Sequence, residues 1–279
     1  MIRLEIARLL RDRIWRWALG IAMSVGLGFL SRHWLATYHA LGTANVWDLV
    51  LAGVTQFYVA TVILPGYYLL LVADLAVSDL DGHVVFMAGR LSSRFEWWIA
   101  KVVALTAAAI LVIVLVLGGL FCVGLIAGLP FRGTWSAYVR EGGAYEMFRV
   151  AGSSLVVVWH DPLLAVGQFA VFAIGTLVSV GLAVMAVSMW LRSAWMPWAL
   201  GTMGAVATYA VWMIQPADIR WMPTAQMMLL QHVLWRHVLF FGRRPDLWSF
   251  GYLAAMGALG VCGGFWRVRT MALSNGMIG

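Results

Sequence analysis

Six apolar runs, each long enough to cross a bilayer, constrain this chain more than any other feature. They cover roughly 14–30, 48–73, 98–129, 162–191, 195–214 and 247–266. A helix rises about 1.5 Å per residue, so about 20 apolar residues cross a hydrocarbon core about 30 Å thick. Inside lipid every backbone N–H and C=O must be satisfied by protein, which makes a helix bundle the solution for runs of this length. Charge agrees: 11% of the 279 residues are charged, where a soluble domain has about a quarter. The net charge of +7 therefore reads as membrane topology and contact with anionic headgroups, not as nucleic-acid binding. The expected fold is an all-α membrane protein with six transmembrane helices in one domain over 1–279.

Local signals place several boundaries. Asp161-Pro162 predicts a helix cap with proline in the first turn, and Pro245-Asp246 precedes the sixth run. The third and fourth runs exceed one bilayer thickness, so they tilt, kink or project into water. Residues 1–13 predict a basic amphipathic interfacial helix with Ile2, Ile6, Leu9 and Leu10 on one face and Arg3, Glu5, Arg8, Arg11 and Asp12 mostly elsewhere. No small-x-small cleavage site follows the first apolar run, which reads as a retained span. Within the outer segment 215–246, the stretch 224–241 carries Gln226, His232, Arg236 and His237 on one side of its wheel. Arg at mid-bilayer is costly, so this stretch reads as an interfacial or re-entrant helix before the last span. Cys122 and Cys262 fall inside apolar runs and read as buried thiols.

Orientation follows from Lys and Arg. With six spans, one side holds Arg3, Arg8, Arg11, Arg13, Arg16, Arg90, Arg94, Lys101, Arg192, Arg267 and Arg269. That side is read as cytoplasmic, with both termini and the 74–98 loop, in a bacterial cell membrane.

Enzyme signatures are missing. There is no GxxxxGK[ST] loop, no HExxH and no Gly-x-Ser-x-Gly elbow. The histidines are not at metal-ligand spacing, so neither a catalytic residue nor a metal site is assigned. The second run does carry polarity. Tyr58, Thr61 and Tyr68 fall within one arc of the helix, with Pro65 on the same side and Gln56 and Tyr67 on the flank. A polar stripe is wasted against lipid, so it faces other helices or a cavity. Helix–helix hydrogen bonding and a substrate-facing wall both fit.

The polar stretch "DLDGHVVFMAGRLSSRFEWWIAK", 79–101, ends on the single lysine of the chain. Gly82 can turn the chain after Asp79 and Asp81. A short apolar segment follows, including Val85 and Phe86, then Gly89, Arg90, Ser92, Ser93 and Arg94. Ser92 or Ser93 can cap a new helix with Glu96 in its first turn. The reading is a short helix with an apolar face bounded by charge, and such a face needs a partner. A plain positive-inside loop is the competing reading.

On these residues the chain resembles the membrane subunit of an ATP-binding-cassette exporter of the ABC-2 type. That family has an amphipathic helix before the first span, six spans and no ATPase of its own. Its second and third spans are joined by an acidic–Gly–apolar–Arg/Ser–Arg–x–Lys segment, matched here by Asp81-Gly82, Met87, Gly89-Arg90, Ser93-Arg94 and Lys101. The resemblance implies that this loop is a coupling helix docking into a cytoplasmic ATPase, through Asp79, Asp81, Gly82, Val85, Phe86, Gly89, Arg90, Ser93 and Arg94. It implies two permease subunits per complex, with ATP and Mg held by the partner ATPase and no cofactor on this chain. It also implies that the second and fifth spans line the path, which puts Gln56, Tyr58, Thr61, Tyr68, Thr208 and Trp212 there. A greasy interior with few fixed charges favours an amphipathic cargo such as a peptide, drug or lipid. The alternatives are an intramembrane lipid-modifying enzyme and an accessory structural membrane protein.

Overall fold

The computed structural model describes residues 2–37, 42–80, 94–140, 161–214, 218–228 and 245–270, and these are helical with no strand among them. Helices α1 (Ile2–Arg11) and α2 (Ile14–Thr37) open the chain. Next come α3 (Val46–Thr55), a π-helical turn at Val59–Ile63, α4 (Leu64–Val72) and the single turn α5 (Val77–Leu80). Then follow α6 (Arg94–Ile126), the short α7 (Ala137–Arg140), α8 (Pro162–Leu191) and α9 (Trp195–Ile214). Two 3₁₀ turns, Asp218–Trp221 and Pro223–Met227, precede α10 (Pro245–Thr270).

Four of these helices are long and apolar enough to cross a membrane: α2, α6, α8 and α10. The pair 46–55 and 59–72 makes a fifth if counted as one span, bent by 63°. Helix α9 has the length but is not among these four. The chain is thus a multi-pass membrane protein with four or five such spans among the described residues. The predicted cap at the start of α8 is present, and the Ser92 or Ser93 cap lies outside the described residues. Asp161 accepts a hydrogen bond from the Leu163 N–H at 2.8 Å with Pro162 opening α8. At α3, Asn45 and Asp48 form a reciprocal capping box, with bonds of 3.1 and 2.7 Å. Helix α6, at 33 residues, is about 50 Å long and overshoots the hydrocarbon core.

Helix α8 is central, packing on α4, α6, α9 and α10. Close approach depends on small residues. A Cβ on Gly181 would come within 2.8 Å of the Tyr68 ring, and one on Gly264 would overlap the Trp98 indole. In lipid, where tails are as apolar as Leu, such close packing is what holds helices together.

Two expectations are corrected. Cys122 and Cys262 are exposed on the outside of the bundle, because their helices turn that face away from the core. The second run is not one continuous α-helix: it bends by 63° between 46–55 and 59–72 and carries a π turn at Val59–Ile63. Helix α1 leaves Ile2 and Leu10 of its apolar face uncovered by protein. Glu5 and Leu9 are its buried residues. The reason is electrostatic: Glu5 turns inward to meet Lys101.

Candidate functional site

Two places concentrate polar and irregular features. The first is the break in the second span. Gln56 takes an extended conformation (φ −61°, ψ 124°) and ends α3. The π turn follows, its end marked by the Leu64 N–H donating to the Val59 carbonyl. Pro65 explains the widening: it has no N–H to give the Thr61 carbonyl and its ring crowds that group, so the preceding turn opens. Carbonyls freed by such a break must be satisfied inside the protein. The Thr61 hydroxyl donates to the Phe57 carbonyl at 2.7 Å, and the Ala60 N–H donates to the Gln56 carbonyl at 3.0 Å.

The outer segment packs against this break. Thr224, Ala225, Gln226 and Met227 are buried, and their turn touches both α8 and the π turn. Thr224 donates to the Thr208 hydroxyl at 2.8 Å. Gln226 Nε2 donates to the Arg220 carbonyl at 2.7 Å, while its Oε1 accepts from Ser249 Oγ at 2.7 Å. The 224–228 part of the outer segment therefore folds in among the helices; 229–244 lies outside the described residues. On the neighbouring face Phe57 stacks on Trp212 with centroids 4.4 Å apart and also meets Tyr209 at 5.7 Å.

So Gln56, Thr61, Thr208 and Trp212 gather around one locus, where the second span, α9 and the outer segment meet. Tyr58 stands on its surface, 37% exposed, edge-on to Trp34. Tyr68 lies elsewhere: it is fully buried and its hydroxyl donates to the Leu105 carbonyl at 3.1 Å. Phe57, Thr224 and Ser249 also belong to the locus and carry no signal in the sequence, because their partners are distant along the chain.

The second place is a collar of ion pairs at the end holding both α1 and the C-terminus of α10. Lys101 Nζ donates to Glu5 Oε2 at 2.6 Å, and both side chains are only 2% exposed. Arg13 and Arg16 both bind Asp74, at 2.7 and 3.0 Å. Burial lowers the pKa of Arg13, with Asp74 acting in the opposite direction. Arg16 also donates to the Leu70 carbonyl, and Trp17 to the Leu9 carbonyl. The collar thus ties α1, the start of α2, the turn after α4 and the start of α6. Of the loop residues expected to dock an ATPase, Arg94 opens α6 and donates to the Arg269 carbonyl at 2.9 Å. Asp79 lies on α5. Asp81, Gly82, Val85, Phe86, Gly89, Arg90 and Ser93 lie outside the described residues. Neither Glu5 nor Asp74 was singled out from sequence, since nothing in a lone carboxylate announces a partner 96 or 58 positions away. No group of three His, Cys, Asp or Glu could hold a metal among the described residues.

No family model, curated protein or solved structure matches the chain.

Proposed function

We propose that this chain is the membrane-spanning subunit of an ATP-driven exporter of the ABC-2 type. It has six spans, with α9 as the fifth, and both termini in the cytoplasm of a bacterial cell. Two permease subunits form the pathway, and separate ATPase subunits carry ATP and Mg and dock on the 74–98 loop. The cargo is amphipathic.

The observation that carries this reading is the broken second span. Irregular backbone midway along a span is tolerated where it is buried in protein or lines a cavity, and discontinuous helices in transporters mark substrate sites. Here the break faces an in-folded outer segment and two aromatic side chains of α9. The collar supports the coupling half of the reading. The loop lies between α5 and α6, and the turn before α5 (Asp74) and α6 (Lys101) are held by charge to α1 and the start of α2. A push on the loop by closing ATPases is then transmitted to α2, α4 and α6 as a rigid unit. The broken second span absorbs the motion, since a π turn and an extended residue are easier to reshape than an α-helix.

The test is accessibility at the break. Cys122 and Cys262 are replaced by Ala, Tyr58→Cys is introduced, and thiol labelling is compared with ATP and with ADP in membranes that also contain the cognate ATPase. The proposal expects the labelling rate to change with nucleotide. An identical rate in both states refutes a pathway at this break.

A further inference from the structure

Among α1, the start of α2, the turn after α4 and the start of α6 lies a cleft of about 420 Å³. That volume falls in the usual range of small-ligand sites, about 300–1,000 Å³. Four basic side chains line it: Arg8, Arg13, Arg16 and Lys101. Three acidic ones face them: Glu5, Asp12 and Asp74. Among the described residues, four against three leaves one positive charge in excess. Asp74 is occupied by Arg13 and Arg16, and Glu5 by Lys101, with Arg8 3.7 Å away. The Arg16 Nε–H is nevertheless buried with no acceptor, and Glu5 Oε1 is buried with no donor. Orphaned buried polar atoms are rare and costly. Beside the cleft, α1 turns Ile2, Leu4 and Leu10 outward as exposed apolar surface.

We infer that this cleft binds the phosphodiester headgroup of an anionic membrane lipid, one per chain. A phosphodiester carries one negative charge, which balances the excess. Guanidinium groups suit its oxygens, and the Arg16 Nε–H supplies a donor already in place. A headgroup hydroxyl has an acceptor in Glu5 Oε1. The acyl chains lie along the exposed apolar side of α1, as expected of an interfacial amphipathic helix. This site holds whether or not the chain transports anything.

Full-length protein, delipidated in a neutral detergent, is titrated with phosphatidylglycerol, with diacylglycerol of the same chains and with glycerol 3-phosphate. Binding is followed by native mass spectrometry and by thermal shift. The expected result is one saturable phosphatidylglycerol per chain and no comparable binding of diacylglycerol. Arg16→Lys keeps a cation against Asp74 but deletes the Nε–H, and should weaken binding about ten-fold. Arg8→Gln, at a residue whose side chain is 35% exposed, removes a charge with little risk to the fold and should weaken it about five-fold or more. Equal binding of diacylglycerol, or unchanged affinity in Arg8→Gln, overturns the proposal. Glycerol 3-phosphate binding as tightly as the lipid, with the same loss in Arg8→Gln, makes the site one for soluble phosphate and overturns the lipid assignment.

Discussion

Removing the lysine of the Glu5–Lys101 pair should undock α1. In Lys101→Met the Glu5 carboxylate stays in a site where it is 2% exposed, with its 2.6 Å partner gone. Removing one member of a buried pair costs about 3–5 kcal/mol, most of it from the stranded charge. A helix of only 10 residues is not stable by itself, so the loss appears as opening of α1 before the bundle unfolds. That energy corresponds to a fall of about 10² to 10³-fold or more in the docked-to-undocked ratio, up to the full docking free energy of α1. Backbone hydrogen exchange over 2–11 reads this directly. Glu5→Leu/Lys101→Met replaces both charges with apolar groups of similar size, and such swaps are near neutral or stabilising. The double variant should recover protection to within about ten-fold of wild type. Wild-type protection in Lys101→Met, or a double variant no better than the single, would refute the reasoning.

Other outcomes follow from the same packing. Asp74→Asn leaves Arg13 and Arg16 without their carboxylate. Asp74 is 28% exposed, so solvent screens the loss and the cost should be about 1–2 kcal/mol, smaller than for Lys101→Met, as read by unfolding in detergent. Gly264→Ala puts a methyl into the fully buried Trp98 ring and should destabilise by about 1–3 kcal/mol, lowering the midpoint of thermal unfolding, whereas Gly263→Ala, which faces open space, should not. Gln226→Leu deprives the Arg220 carbonyl and the Ser249 hydroxyl of their 2.7 Å partner. It should loosen 218–228 in hydrogen exchange by about 1–3 kcal/mol while leaving α6 unchanged.

Much of the fold was legible from length and caps. The boundaries 162–191 and 195–214 agree to the residue, because Asp161-Pro162 is a strong start signal and Arg192 ends α8 in a left-handed turn (φ 50°). The break at 56–63 was not legible. Apolar periodicity is the same on either side of a π turn, and Pro65 within a transmembrane run is compatible with a kink or none. The inward turn of Glu5 on α1 was not legible for a different reason. A helical wheel sorts residues by hydropathy, and it cannot know that a single lysine 96 positions away will draw Glu5 inward. For the candidate pathway, the residues on the second span and α9 were visible as polar exceptions in apolar runs. Their shared partner, the buried turn at 223–227, was not, because its polar side chains are satisfied by bonds to distant segments that no local pattern encodes.

The central claim is that the 74–98 loop joins this chain to an ATPase. The tagged chain is purified from native membranes, and its co-purifying proteins are compared with those of Val85→Asp and Phe86→Asp. A charge placed on the apolar face of a docking helix should cost several-fold more than loss of a rim charge such as Arg94→Ala, which changes binding by about 1 kcal/mol or less. The account predicts a stoichiometric Walker-motif ATPase with the wild-type chain, lost in both Asp variants and retained in salt-sensitive form in Arg94→Ala, with membrane insertion normal in all. Full retention of the ATPase in Val85→Asp and Phe86→Asp, or no ATPase with the wild-type chain, would contradict it.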